Sequence, residues 1–480
     1  MSTEQGSQSA RILTFMTVAG IILAAGKGTR MKSELPKGLH RVCGIPMAAL
    51  VGRALKAAGI SRVVVVVGHG GDLMVENLGS SYEFAWQTEQ KGTGHAALMT
   101  ADNFNGSMPD AVIVAPGDTP LLGPDVFQRL VTTHSESGAQ CTLASAVLED
   151  ASGYGRVVRD DQGPCRIVED KDATPEEKRI REVNAAIYCF DAPVLFEILP
   201  TLSANNAQGE YYLPDVIAMI RERGGLVEAV VFEDRDILRG VNDRWQMAEA
   251  SKALRVKILR RHALAGVTIV DPDTTYIEPD VEIGIDTMIE PGTILEGNTR
   301  IGPGCHLGPN TKIQDSSIGA HCTVLMSHLN EATMLDGARC GPYANLRPGA
   351  VLGERAKVGN FVEIKNATLG AKVAVSHLSY IGDGSVGADS NIGAGTIFCN
   401  YDGFVKQRIE IGDNVFVGSN TTLVAPLRIG DGSMVAAGSV IVRDVEADAL
   451  AFGRARQEEK AGWVPDWRQR RQRLKETGGS

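Results

Sequence analysis

The chain has 480 residues, enough for about three domains and a sizeable buried core. Lys and Arg number 48 against 58 Asp and Glu, and the resulting net charge of −10 argues against a sequence-independent grip on nucleic acid, which needs a basic field. Apolar residues make up 43 % and charged residues 22 %, an ordinary globular composition, and no apolar run is long enough for an integral membrane contact.

In chain order, the start is polar apart from Ile12-Leu13-Thr14-Phe15, with neither a basic stretch nor a long apolar one. Residues 1–17 are therefore expected to be a disordered extension and not a secretory signal, with Met16 an alternative start. Residues 18–24 are apolar and end in the turn Gly26-Lys27-Gly28, residues 46–58 read as a helix, and residues 63–67 are five valines, the mark of a buried parallel strand. A further apolar run, 111–115, stops at Pro116-Gly117-Asp118. Alternating strand and helix patterns predict an α/β domain over 18–243, Rossmann-like with a mostly parallel sheet, whose ligands bind at the carboxyl ends of the strands.

From 244 a helical pattern follows, with Met247, Ala250, Leu254 and Ile258 on one face and Arg260, Arg261 and His262 in its last turn. It predicts a linker helix over 244–265. Beyond it the period is six: Ile277, Ile283, Ile289, Leu295, Ile301, Leu307 and Ile313, then Leu346, Leu352, Val358 and Ile364, then Ile411, Val417, Leu423, Ile429, Val435 and Ile441. Such a period fits a solenoid of triangular coils over 266–463, each side pointing one aliphatic residue inward, with Gly, Asn or Asp in the turns. Residues 398–408 interrupt the repeat and are expected to project from a corner, where loops often carry function. The Arg-rich tail, 464–480, reads as a solvated helix or disordered segment. None of the eight cysteines is spaced as a zinc site or a disulfide framework, so reduced thiols and a cytoplasmic location are expected.

The turn Leu23-Ala24-Ala25-Gly26-Lys27-Gly28-Thr29-Arg30, followed by Pro36-Lys37, is not a Walker loop, because Gly28 replaces the Ser or Thr. Nor is it a dinucleotide fingerprint, which needs Gly where Met31 stands. A Gly turn still offers backbone N–H groups to phosphate oxygens, with Arg30 and Lys37 as cations. Asp118, at the same sheet edge, is a hard-oxygen ligand for Mg²⁺; alone, it would read as a turn residue.

Residues 23–37, Gln87-Thr-Glu-Gln-Lys-Gly-Thr-Gly-His95, Gly153-Tyr-Gly-Arg156, Ile167-Val-Glu-Asp-Lys-Asp-Ala173 and Asn205-Asn-Ala-Gln-Gly-Glu-Tyr-Tyr212 resemble the sugar-nucleotide pyrophosphorylases. With His377-Leu-Ser-Tyr-Ile-Gly-Asp383, Asn391-Ile-Gly-Ala-Gly-Thr396, Cys399-Asn-Tyr-Asp-Gly403 and Ala436-Ala-Gly438, the chain over 18–463 resembles the bacterial bifunctional N-acetylglucosamine-1-phosphate uridyltransferases / glucosamine-1-phosphate N-acetyltransferases. The resemblance implies an α/β nucleotidyltransferase domain followed by a left-handed parallel β-helix of hexapeptide repeats. It also implies a cytoplasmic homotrimer that makes UDP-N-acetylglucosamine for peptidoglycan and lipopolysaccharide.

For uridylyl transfer from UTP to N-acetylglucosamine-1-phosphate, the resemblance gives uracil to Leu23, Ala24, Ala25, Gly26, Gln87, Gly92 and Thr93. Arg30 and Lys37 neutralise the triphosphate, Asp118 (with Gly117 beside it) and Asn242 hold Mg²⁺, and Gly155, Glu169 and Asn184 bind the acetamido sugar. Such chemistry needs positioning and charge neutralisation, not a protein nucleophile. Ala185-Ala186 departs from the family, which has a small polar residue and Gly after the Asn. For acetyl transfer from acetyl-CoA to glucosamine-1-phosphate, His377 is the implied general base, since an imidazole titrates near neutrality, with Glu363 orienting it. Arg347 and Lys365 take the sugar phosphate, Tyr380 and Asn391 the sugar, and Ala394, Asn400, Tyr401, Lys406, Ser419, Ala437 and Arg454 acetyl-CoA. A nucleotidyltransferase with a purely structural β-helix would not need His377 and the Asn400-Tyr401 loop. A non-enzymatic sensor would not need Lys37, Asp118, Asn242 and His377 together.

Overall fold

The computed structural model describes residues 16–477 and divides the chain into two compact units, one reaching to Ile258 and the other starting at Leu259. The expected extension falls outside the described residues except for its last two positions. Thr17, assigned to it from the sequence, is instead tied down: its N and Oγ1 donate to the Asp110 carboxylate at 2.7 and 2.8 Å. The predicted linker is one helix, Arg244–Leu264, and the boundary between the units falls within it.

The first unit is built on a nine-stranded sheet, seven of whose strands follow the spatial order Val227–Val231, Cys141–Val147, Glu182–Asp191, Ala111–Pro116, Val18–Leu23, Arg62–Val67, Glu83–Trp86, while the hairpin Arg156–Asp160 and Gly163–Val168 branches from Glu182–Asp191. Its central pairings are parallel, and Glu182–Asp191 runs antiparallel between its two neighbours. The valine run shows why the sheet is covered on both faces. Val63, Val65 and Val67 pack with the helices Met47–Ala57 and Pro124–Ser137. Val64 and Val66 pack with Thr93–Leu98, Ala192–Ile198 and Asp215–Glu222. A period of two thus sends alternate side chains into two cores, each buried valine contributing about 1.5–3 kcal/mol. The strand ends then converge, since Gly117 N donates to Leu23 O at 2.9 Å and Gln87 N to Val67 O at 2.8 Å.

The second unit is a parallel β-helix. Each short strand pairs with the same side of the next coil, as in the series Tyr276–Ile277, Ile294–Glu296, Lys312–Gln314 and His328–Asn330. The aliphatic residues of the three period-six runs are buried, apart from the half-buried Ile283 in the first coil. Between the runs the inward ladder continues without that period, through Ile318, Val324, Leu329, Met334 and Cys340, and through Leu369, Val375, Ile381, Val386, Ile392 and Phe398. In the middle coils three corners with a left-handed backbone close each turn. Phe361, Asn366 and Lys372 (φ 56°, 46° and 56°) serve one coil, and Leu378, Asp383 and Asp389 (φ 48°, 48° and 54°) the next. The tail forms a helix, Trp463–Glu476, whose residues are all exposed, matching the solvated alternative.

Candidate active sites

In the first unit, the turn after Val18–Leu23 is shaped by Gly28, whose left-handed backbone (φ 58°) lets the Lys37 stem cross it. A Cβ at Gly28 would lie 2.7 Å from Lys37 Cβ. Lys37 Nζ donates to the Asp118 carboxylate and, at 2.9 Å, to Asn242 Oδ1, which also accepts from Arg30 Nη2 at 2.8 Å. Asn242 is itself fixed by its N–H donating to Gln246 Oε1 at 2.7 Å, from the start of the long helix. These four side chains, with Ala24, Gly28 and Gly117, line a cavity of about 210 Å³.

The oxygens of Asp118 and Asn242 converge on an ammonium, so the donor set suits a hard cation. Among the described residues no cluster of three or more His, Cys, Asp or Glu could hold a metal. A cation here would therefore take the rest of its shell from substrate phosphates and water, as Mg²⁺ commonly does.

A second cavity, of about 450 Å³, shares Leu23, Gly26 and Asp118 with the first and adds Ala25, Gln87, Gly92, Thr93, Glu169 and Asn184. Gln87 is buried, with Nε2 at 3.0 Å from both Gly92 O and His95 Nδ1. Burial and then Lys91 hold His95 below its ordinary range, so a neutral ring can accept from Gln87. Thr93 Oγ1 accepts from Leu213 N at 3.0 Å. Gly155 is not in the cavity wall, but its carbonyl accepts from Asn184 N at 2.9 Å and a Cβ there would press on Glu169. Asn184 Nδ2 donates to Tyr188 Oη at 2.6 Å. Burial, then Asp172, Asp215 and Asp170, raise the Glu169 carboxyl above its ordinary range.

Sequence reasoning missed several wall residues. Gln90, whose Nε2 donates to Ala25 O at 2.5 Å, and Glu210 and Tyr212 all line the cavity, and they lie within motifs quoted for the resemblance without a role. Ala186, the departure from the family pattern, also lines it and adopts a left-handed backbone, φ 57°, which favours glycine.

In the second unit, one side of successive coils presents two outward rows. Asn345, Glu363, Tyr380 and Ile397 form one row, and Arg347, Lys365 and Gly382 lie in the neighbouring one. Arg347 Nη1 donates to Glu363 Oε1 at 2.7 Å. The Glu363 carboxylate is engaged by Arg347, and the register partner of His377 is Asn360, so an orienting role of Glu363 toward His377 rests on the resemblance alone. The His377 ring is exposed and makes no hydrogen bond among the described residues.

The corner at His377 carries a backbone ladder. Gly395 N donates to His377 O at 3.4 Å, Asn420 N to Ala394 O at 2.7 Å and Gly438 N to Ser419 O at 2.8 Å. His377, Ala394, Ser419 and Ala437 are thus brought onto one edge of the β-helix, with Arg454 packed near Gly438. Asn391 lies on the side leading into this edge, in register with Ala374 and Phe416. The insertion folds back through a Tyr401–Lys406 bridge and projects as expected, with Phe404 93 % exposed. The neighbouring Lys406 ammonium holds that of Lys365 below the ordinary lysine range. It therefore joins Arg347 and Lys365 in one cationic group.

Comparison with known proteins follows this division. Residues 20–187 match the MobA-like NTP transferase domain. Residues 280–315 and 408–443 match the bacterial transferase hexapeptide (six repeats), two stretches where the spacing of six is unbroken. Over 450 residues the chain is 50 % identical to the bifunctional protein GlmU of Carboxydothermus hydrogenoformans, covering 93 % of this chain and 99 % of that one. Over 445 residues it is 47 % identical to that of Heliobacterium modesticaldum, covering 92 % and 97 %. With Streptococcus agalactiae the identity is 45 % over 450 residues, covering 94 % and 98 %. The chain belongs to the bifunctional GlmU family, a uridyltransferase joined to a hexapeptide-repeat acetyltransferase in the synthesis of UDP-N-acetylglucosamine.

Proposed function

We propose that the two linked cavities of the first unit hold UTP and N-acetylglucosamine-1-phosphate, and that the His377 edge performs acetyl transfer to glucosamine-1-phosphate. The observation that carries the first half is the convergence of Lys37, Arg30, Asp118 and Asn242 beside the larger cavity. Leu23 to Gly26, Gln87, Gly92 and Thr93 shape the uracil end; Glu169 and Asn184, with Gly155 behind them, shape the sugar end. Asp118 and Asn242 would hold Mg²⁺, which supplies charge to steady the phosphate oxygens. Lys37 and Arg30 turn their cations to the triphosphate, so that the sugar phosphate can attack the α-phosphorus in line and pyrophosphate can leave. Positioning and preformed charge supply the catalysis.

On the β-helix, His377 takes the proton from the amine as it attacks the thioester carbonyl, and its exposed, unbonded ring leaves its nitrogens for that task. Arg347 and Lys365 receive the sugar phosphate, Tyr380 and Asn391 the ring, and the edge from Ala394 to Ala437, with Asn400, Tyr401 and Arg454, acetyl-CoA. One coil is too narrow to enclose so long a molecule, so a groove shared between the subunits of a homotrimer is the natural container. None of the described helices is long and apolar enough to cross a membrane, and the cytoplasm, where these substrates are found, is the proposed location. The test is to incubate the protein with UTP, Mg²⁺, acetyl-CoA and glucosamine-1-phosphate. UDP-N-acetylglucosamine should form and should fail to form when acetyl-CoA is left out; formation without it would overturn the two-step reading.

A further inference from the structure

Asp383 has no part in the roles above, yet it is 8 % exposed and both its carboxylate oxygens are engaged. Oδ1 accepts from Asn366 Nδ2 at 2.6 Å and Oδ2 from Asn400 Nδ2 at 2.5 Å. The three residues stand on successive coils: the register Ala367 to Gly384 places Asn366 beside Asp383, and Asn400 is where the chain leaves the coil for the insertion. Gly382 is bare for a reason visible here. A Cβ on it would lie 2.3 Å from the Tyr380 hydroxyl and 2.9 Å from Asn400 Nδ2, so the amide and the phenol share that space. Lys365 and Lys406 both lie within the electrostatic reach of Asp383.

We propose that Asp383 is a positioning residue of the acetyl-transfer site. It clamps the Asn400 amide, and with it the root of the loop carrying Tyr401 and Lys406, against Tyr380. The chemistry requires a carboxylate, because two amide N–H donors face it and an Asn at 383 could accept from only one while presenting its own NH₂ to the other. The inference rests on the proposed placing of acetyl-CoA at Asn400.

The test uses the full chain and follows CoA release, with circular dichroism and thermal melting of the same preparation as the control for folding of the β-helix. Asp383→Asn should raise the KM for acetyl-CoA about tenfold, the scale of one lost charge-assisted hydrogen bond, while kcat changes less than about threefold. Asn400→Ala should raise the same KM, and the double variant should be no worse than Asn400→Ala alone, because Asp383 acts through Asn400. An unchanged KM in Asp383→Asn, or effects that multiply in the double variant, would overturn the proposal while leaving the site assignment standing. An unchanged KM in Asn400→Ala would overturn both. If Asp383→Asn does not fold, Asn366→Gly keeps the left-handed corner and deletes only the other donor. It should raise the acetyl-CoA KM about threefold, and no rise would count against the clamp.

Discussion

In the α/β unit, Arg30 and Asn242 are 212 residues apart in the chain and meet because their loops leave the same edge of one sheet. In the β-helix, Arg347, Lys365 and Gly382 are one coil apart and meet because each coil lies on the last. The first arrangement exists only once the whole sheet is assembled, so its site shares the fate of the entire unit. The second is a nearest-neighbour arrangement, in which damage to one coil is felt mainly by the coils beside it.

The strongest test of this contrast is Asp118→Ala. Removing the charged oxygen at the shared sheet edge should cut uridylyl transfer by about 10⁴, a loss of several kcal/mol of charge stabilisation, and leave acetyl transfer within about twofold. Pyrophosphate and CoA release measured on one preparation would decide it, and near-normal pyrophosphate release would make Asp118 a turn residue. The mirror experiment is His377→Ala, for which acetyl transfer should fall by about 10³ while uridylyl transfer holds. An equal fall in both rates would mean that the two regions are not functionally separable. A chain ended after Leu264 sharpens the contrast further. It should fold by circular dichroism and keep uridylyl transfer within about threefold, since its sheet has two cores of its own.

The smallest effect is expected from Glu169→Gln. Burial and neighbouring acids raise the folded-state pKa of Glu169, so the folded protein takes up this proton at a higher pH than the unfolded chain does. The charged carboxylate is therefore a strain on the folded state above that folded pKa, and the strain disappears below the unfolded value. The variant should melt slightly higher than wild type near pH 7, and the gap should close as the pH falls through this window. A gap that widened on acidification would show that Glu169 is stabilised, not strained.

The β-helix was legible where its sides are six residues long and faded where they are not. Ile318, Leu329, Met334, Leu369 and Val386 follow the preceding inward residue after five, so a fixed period loses them although the ladder continues. In the α/β unit, residues 63–67 announced a doubly covered strand, but nothing in the composition of Glu182–Asp191 shows that it runs antiparallel. Lys37 and Asp118 could be read from strand-end chemistry. Asn242 could not, because an amide in a loop has no spacing signal and its value comes from a partner far away in sequence. The Arg347–Glu363 pair was not legible either: the register sets Glu363 beside Asn345, and its side chain leans across to Arg347 in the neighbouring row, which no spacing announces.

The corners between the sides of each coil also set how such a protein can change over generations. Losing a single residue from one side would turn every later inward residue outward, up to the next corner able to absorb the slip. Losing or duplicating a whole coil restores the same stacking with a different partner. Heritable changes in length should therefore come in whole coils or at corners, and the insertion after Asn400 occupies one of the places where chain can be added without disturbing the coils on either side.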